Sequence, residues 1–291
     1  MTTADPGGRR RPSATRGGSK DPVRLGPAEA AIFETFVVPR YLSHFGGLLL
    51  EMIVESEQAR VVHLCCRTGY PDRGVSLKLE GAHIVGADAS PAALQLARAK
   101  AATMPNMVAE YRLLDTFPSP LPAWAFSHGL AVHPFANEAE RAQLFGEFAR
   151  LLAPHGQMLV ALPLRGSFQE LADLLHEYSL KNEEGDLEGP VERAPEIRPT
   201  AEGLSAEVES AGFEFVDVAT RTTVLRFRSG RDFFEDPVAR LLIVPEVKRH
   251  HRLEDPESAF SYVQDAIDKY WSESTFELTV NIGCVTGRRS T

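Results

Sequence analysis

Residues 63–69 hold the densest group of chemically versatile side chains in the sequence. An imidazole, two adjacent thiols and a guanidinium follow one another at His63, Cys65, Cys66 and Arg67. Imidazole and thiolate are good zinc ligands. However, adjacent cysteines of an extended segment point to opposite sides, and no second cysteine pair follows them. The pattern therefore favours small buried side chains at a strand end over a metal site.

Two glycines in the same region have the spacing of a phosphate-binding loop. Four residues separate Gly69 from Gly74, but Val75 stands where such a loop needs its phosphate-binding lysine. The sequence thus argues against a nucleotide-hydrolysing enzyme of this type.

His133 is a further candidate for chemistry because it directly follows an apolar run. A histidine at the end of a strand can act as a general base. A histidine that only caps a helix or belongs to a loop is the alternative.

The segments that position these residues alternate between short β-branched runs and amphipathic stretches. Such alternation indicates parallel strands with right-handed crossovers, which is an open, doubly wound α/β sheet. Ligands of such sheets bind beyond the carboxyl ends of the strands. We predict strands at 60–66, 82–87, 107–114, 125–132 and 157–164. Helices are predicted at 92–102, with Ser90 as N-cap, and at 138–152.

The flanking segments predict further elements. Residues 27–56 have helical spacing with breaks at Pro39 and Gly46–Gly47, which predicts two short helices. The remaining predictions are helices at 167–180 and 201–211, a covering loop at 182–199, strands at 213–227 and 275–285, and a helical insert at 230–270.

Length and composition predict one α/β domain behind a basic tail. The chain has 291 residues, and residues 1–26 are rich in Arg, Pro, Gly and Ser, which is typical of disorder. The domain is expected at 27–291, with N-terminal helices at 27–56, a core at 57–165 and a C-terminal part at 166–291. The tail could contact an acidic partner, or it could be a solvated leader without one.

Charge and cysteine content indicate which partners and which cellular compartment to expect. The formal net charge of −9 gives no overall basic surface for nucleic acid. Three cysteines cannot form a disulfide framework, which favours a reducing cytoplasm. The apolar stretches are too short to span a bilayer. The partner is expected to be a small molecule or a protein, and the sequence does not indicate an oligomeric state.

The succession of motifs resembles the class I S-adenosylmethionine (SAM) dependent methyltransferases of the small-molecule type. The resemblance covers about residues 30–288 and rests on four segments: VVHLCCRTG (61–69), VGADASPAALQLAR (85–98), YRLLDTF (111–117) and LLAPHGQMLVALP (151–163). It implies a Rossmann-like, mostly parallel sheet of seven strands with helices on both faces. It also implies that the last strand is antiparallel and inserted between two others, and that SAM binds across the carboxyl ends of the first four strands.

Three positions carry the family's SAM-binding residues. By this resemblance Asp88 accepts hydrogen bonds from the ribose hydroxyls, Asp115 meets the adenine amino group and Gly69 is the last glycine of the glycine-rich loop. A carboxylate suits two adjacent hydroxyl donors because it offers two acceptor oxygens. For Asp88 and Asp115 the alternative is an ordinary turn or loop carboxylate.

The first loop departs from the family. His63 stands in place of the acid that neutralises the methionine ammonium, and Cys65 and Arg67 stand in place of the first two glycines. Loss of a charge-assisted hydrogen bond costs on the order of 1.5–3 kcal/mol, and a Cβ in left-handed backbone costs about 1–2 kcal/mol. We therefore expect an impaired SAM site and a non-catalytic binding or regulatory module. The alternative is an active methyltransferase that binds SAM unconventionally and methylates a small molecule, chiefly through proximity and orientation.

Overall fold

We analysed a computed structural model, which describes residues 24–114, 116–134, 137–182, 197–251 and 255–291. Its centre is one sheet of seven strands in the order β3-β2-β1-β4-β5-β7-β6. The strands are β1 Arg60–Leu64, β2 His83–Asp88, β3 Val108–Leu113, β4 Phe126–Val132, β5 Leu152–Pro163, β6 Phe213–Phe227 and β7 Phe276–Arg289. Strands β1 to β5 pair in parallel, whereas β7 runs antiparallel between β5 and β6. The seven-stranded arrangement implied by the resemblance is therefore confirmed.

Twelve helices surround the sheet in the described part of the chain. They are α1 Pro27–Ile32, α2 Phe33–Leu42, α3 Ser43–Met52, α4 Asp72–Lys78, α5 Pro91–Ala102, α6 Glu138–Leu151, α7 Gln169–Asn182, α8 Ala201–Ser210, α9 Gly230–Glu235, α10 Ala239–Ile243, α11 Val244–His251 and α12 Pro256–Tyr270. Two large clusters of buried apolar side chains cover the sheet. Within the described residues, no helix combines the length and the apolar character needed to cross a membrane.

Most predicted elements lie within a few residues of their observed bounds. Ser90 caps α5 as predicted, with its hydroxyl accepting from the amide of Ala93 at 3.3 Å. Gly212 follows α8 with a φ of +89°, which a glycine adopts without strain. Strand β5 begins at Leu152, earlier than the predicted residue 157, because the chain passes straight from α6 into the sheet.

The predicted breaks in the N-terminal helices are wrong. Helical winding continues from Pro27 to Met52, and Pro39 lies inside the π-helical α2. Gly46 lies inside α3, where an added Cβ would stand 2.5 Å from Cε1 of Tyr70. That glycine therefore allows an aromatic ring to pack against the helix instead of ending it.

The boundary of the predicted tail also needs correction. Leu25 is buried, and its carbonyl oxygen accepts a hydrogen bond from the hydroxyl of Ser90 at 2.8 Å. The domain thus begins before the predicted residue 27. The rest of the tail, residues 1–23, and most of the predicted loop at 182–199 lie outside the described residues.

Candidate functional site

The loop after β1 lies at the carboxyl edge of the sheet, where the topology places a ligand site. Every second residue of this loop has left-handed backbone, with φ of +56° at Cys65, +46° at Arg67 and +74° at Gly69. These are the three positions that the resemblance assigns to the family's glycines. The loop therefore keeps a glycine-type backbone while carrying side chains at two of the three positions, each at a cost of about 1–2 kcal/mol.

The Arg67 side chain bridges the ends of two neighbouring strands. Its guanidinium donates to the carbonyl oxygen of Val132 at 3.0 Å and to that of His133 at 2.7 Å, both at the end of β4. The Phe33 ring lies 5.6 Å from the guanidinium carbon, a cation–π arrangement. Burial lowers the pKa of the guanidinium from its ordinary value, and the nearby Asp88 carboxylate opposes that shift. The guanidinium thus lies between β1 and β4, beneath the N-terminal helices.

Asp88 ends β2, as predicted, and both of its carboxylate oxygens accept hydrogen bonds from this chain. Oδ2 accepts from the amide of Arg67 at 3.0 Å, and Oδ1 accepts from the amide of Ser90 at 2.9 Å. The side chain therefore orders the loop after β1 and the start of α5. Asp115, the other predicted carboxylate, lies outside the described residues.

His63 contacts a carboxylate that the sequence analysis missed. Its Nδ1 lies 2.6 Å from Oδ1 of Asp72, at the start of α4, and the hydroxyl of Tyr111 on β3 donates to Oδ2 at 2.8 Å. The His63 and Asp72 side chains are fully buried. An added Cβ at Gly69 would stand 2.8 Å from the Tyr111 hydroxyl, so the last loop glycine packs on this cluster.

His133 follows β4 with a φ of +50° and is buried. Its Nε2 lies 2.9 Å from the hydroxyl of Tyr41, and its ring packs edge-on against Phe45. Burial, together with the positive charge of Arg67, lowers the pKa of His133 well below its ordinary value. A neutral imidazole held by a tyrosine of α2 is therefore the state at neutral pH.

An ion pair lies above His133. Arg198 pairs with Glu246 of α11 at 2.6 Å, and both side chains are largely buried. The cavity that these two residues line together with His133 has a volume of about 20 Å³, which is room for about one water molecule.

The thiols of Cys65 and Cys66, in the loop after β1, are shielded from solvent. Desolvation raises the pKa of Cys65 to about 11 and that of Cys66 well above its ordinary value. Among the residues that the structure describes, no three His, Cys, Asp or Glu side chains come together as a metal site would require.

Sequence reasoning missed four residues that surround the predicted ones. They are Phe33, Tyr41, Asp72 and Tyr111, and all are buried. Asp72 stands at the start of a helix, an ordinary place for an acidic residue. Nothing in the sequence separates it from such a role, because its partners belong to β1 and β3.

Comparison with known proteins agrees with this fold. Residues 62–160 match the family described as methyltransferase domain. The chain is 29% identical over 199 residues to the demethylmenaquinone methyltransferase of Thermus thermophilus, an alignment that covers 61% of this chain and 89% of that protein.

Solved structures share the architecture at low sequence identity. The YcgJ protein of Bacillus subtilis aligns with a TM-score of 0.56 and 13% identity, covering 86% of this chain and 99% of that one. The [4+2]-cyclase SpnF aligns with a TM-score of 0.52 and 17% identity, covering 85% and 80%.

The sheet order and the antiparallel β7 define a class I methyltransferase fold. The chain therefore has a methyltransferase fold, its residues 62–160 match a methyltransferase-domain family, and it is homologous to a demethylmenaquinone methyltransferase.

Proposed function

We propose that this protein is a methyltransferase-fold binding or regulatory module that does not bind SAM in the manner of its family. One observation carries the proposal: the Arg67 guanidinium is held between the carboxyl ends of β1 and β4 by two main-chain carbonyl oxygens. In the family this edge of the sheet receives a sulfonium nucleoside. A second cation in the same crevice repels the sulfonium and takes its space.

The loop around Arg67 also disagrees with the family's mode of SAM binding. The family needs glycines there so that the backbone can approach the ligand closely. Here the amide of Arg67 donates to Asp88, which the family uses for the ribose hydroxyls. A ribose would have to share that carboxylate with two amides of the protein.

His63 is a third departure from the family's mode of SAM binding. The family's acid at this position neutralises the methionine ammonium, whereas this imidazole has its Nδ1 against Asp72 in the interior. The Asp72 carboxylate accepts from Tyr111 as well. It is fully buried, so it does not replace the missing acid at the crevice.

The homology to demethylmenaquinone methyltransferase supports a second candidate, an active methyltransferase acting on a small molecule such as a quinol. This candidate requires Arg67 to leave the crevice when SAM arrives. The [4+2]-cyclase with the same fold illustrates that the fold alone does not imply methyl transfer.

The test is calorimetric titration of the full chain with SAM and with S-adenosylhomocysteine, together with thermal unfolding in their presence. We expect no heat of binding and no thermal shift up to about 1 mM ligand. A ligand present at about one hundred times its Kd would add roughly 2.7 kcal/mol of stability. A stabilisation of that size at micromolar ligand would overturn the proposal and favour the second candidate.

The partner of such a module is expected to be a protein or a small molecule, and the basic N-terminal tail is the proposed contact for an acidic one. Deletion of residues 1–24 should then abolish a salt-sensitive interaction in a pull-down with that partner. An interaction that survives the deletion at the same salt concentration would argue against the tail as the contact.

A further inference from the structure

A cavity of about 330 Å³ lies away from the Arg67 crevice, between α4, the end of α5 and the loop after β1. Val132, His133 and Phe33, which contact the Arg67 guanidinium, do not line this cavity. Its floor is formed by the buried residues Gly69, Pro71 and Tyr111. Ligand sites of proteins begin at about this volume, roughly 300 Å³.

The walls of this cavity suit a flexible apolar chain. Met104 and Met107 line one side, after α5, while Leu77 of α4 and Leu50 of α3 also contribute. Methionines adapt to ligands of irregular shape because their side chains are unbranched and polarizable. Leu77 is 77% exposed, so an apolar side chain stands in water at the mouth of the cavity.

The charged residues of the lining favour an anionic head group. Lys100 and Glu34 form an ion pair at 2.5 Å, so their charges offset each other. Arg73, exposed on the same helix as Leu77, makes no side-chain hydrogen bond or ion pair among the described residues. One positive charge therefore remains in excess, and it stands at the mouth.

We propose that this cavity binds a monoanionic amphiphile, a carboxylate on an unbranched chain of about ten carbons, with the carboxylate on Arg73 and the chain between the methionines and leucines. A medium-length chain is proposed because 330 Å³ lies near the lower end of the volumes of ligand pockets. The inference does not rest on the proposed function, since the ligand contacts proposed for Arg73, Leu77 and the methionines involve neither Arg67 nor Asp88.

The experiment is calorimetric titration of the full chain with decanoate, decanol and decylamine. We expect decanoate to bind more tightly than decanol, and decylamine to bind least, because of the uncompensated charge of Arg73. Hexanoate should bind more weakly than decanoate, since it leaves part of the apolar wall uncovered. Absence of decanoate binding up to about 1 mM would overturn the proposal, as would decylamine binding as tightly as decanoate.

Three substitutions that each make the net charge more negative by one locate the site. Arg73→Gln should weaken decanoate binding about two- to fivefold, as expected for an exposed ion pair. Leu77→Glu should weaken it at least as much, because it places a carboxylate at the mouth. Lys78→Gln is the control, since Lys78 is exposed on the same helix but does not line the cavity. Equal binding by all three variants would overturn the proposed site.

A cavity-filling variant tests the apolar part. Ala101→Leu should reduce decanoate affinity more than tenfold while circular dichroism and thermal unfolding show a folded protein. Should this variant unfold, the exposed Arg73 and Leu77 substitutions decide the matter alone. A folded Ala101→Leu protein with unchanged affinity would place decanoate elsewhere and contradict the proposal.

Discussion

The guanidinium of Arg67 donates to the main-chain carbonyl of His133 at 2.7 Å, across 66 residues of sequence. This bond ties the loop after β1 to the end of β4, the two places between which the fold forms its ligand crevice. It also places a positive charge near the His133 ring, whose pKa that charge helps to lower. The occupancy of the crevice and the protonation of His133 are therefore linked through one side chain.

Replacing both loop side chains by glycine should open the crevice. In Cys65→Gly/Arg67→Gly the left-handed backbone is retained without a Cβ, which relieves about 1–2 kcal/mol at each position. The lost charge-assisted hydrogen bonds offset that gain by about 1.5–3 kcal/mol each. The net change in unfolding free energy should therefore lie between a gain of about 1 kcal/mol and a loss of about 4 kcal/mol. We expect at least tenfold tighter SAM binding, and urea unfolding and calorimetry measure the two effects.

Gln58→Gly is the matched control for this variant. Gln58 is exposed with a φ of +51°, so glycine relieves the same kind of strain far from the crevice. It should leave SAM binding unchanged. If the double variant gains no affinity over Gln58→Gly, then Arg67 is not what obstructs the ligand.

Much of the fold could be predicted from the sequence because local patterns decide it. Alternating β-branched runs and helix caps such as Ser90 act over a few residues, and both are confirmed. The continuity of α1 to α3 could not be predicted, because Pro39 and Gly46 normally interrupt helices. In this protein, packing against Tyr70 decides what happens at Gly46.

The site was less predictable because its contacts join distant segments. From the sequence, a side chain at position 67 was expected to strain a left-handed backbone, and the observed φ of +46° is left-handed. The sequence did not predict that Asp72 would engage His63, since α4 and β1 meet only in the folded protein. Whether the site residues bind SAM stays a prediction.

Restoring the family's acid at position 63 should destabilise the protein. His63→Asp places a second carboxyl beside the fully buried Asp72, and two carboxylates in such contact cannot both be ionised. We expect a loss of about 3–5 kcal/mol in unfolding free energy at pH 7, as found when buried pairs lose one partner. Urea unfolding measures this loss.

His63→Asn is the control, because its side-chain amide can still donate to Asp72. It should cost less than His63→Asp, and the difference between the two variants should shrink when Asp72 is changed to Asn in both. A His63→Asp protein as stable as His63→Asn would show that the interior tolerates the extra carboxyl.

Stability should fall with acid through His133. Because burial lowers the pKa of His133, the folded state binds fewer protons than the unfolded state below about pH 6.5. Unfolding free energy should therefore decrease by up to about 1 kcal/mol per pH unit as the pH falls from 6.5. His133→Asn keeps a residue that tolerates positive φ and should flatten this slope in urea unfolding. His128, whose pKa burial also lowers, accounts for the slope that remains.

His155→Asn is the matched control for the acid dependence. His155 also has a positive φ, +62°, but it is exposed, whereas His133 is buried. Its substitution should leave the slope between pH 6.5 and 5.5 as in the wild type. An equal flattening by both variants would assign the acid sensitivity to groups other than His133.

The ion pair between Arg198 and Glu246 should matter more than an exposed pair of the same type. Glu246→Gln leaves the guanidinium of Arg198 largely buried without its counter-charge, and we expect a loss of about 2–4 kcal/mol. Glu277→Gln removes the partner of Arg226 in a pair that is more than half exposed, so it should change stability by less than about 0.5 kcal/mol. Urea unfolding of both variants gives the comparison.

Replacing both partners by apolar residues distinguishes the net contribution of this ion pair to stability from the cost of removing only one partner. The second carboxylate oxygen of Glu246 and Nε of Arg198 have no hydrogen-bond partner among the described residues, so the pair does not recover its full desolvation cost. Arg198→Met/Glu246→Leu should therefore be more stable than Glu246→Gln by at least about 1 kcal/mol. A double variant less stable than the single one would mean that the pair itself holds α11 over His133.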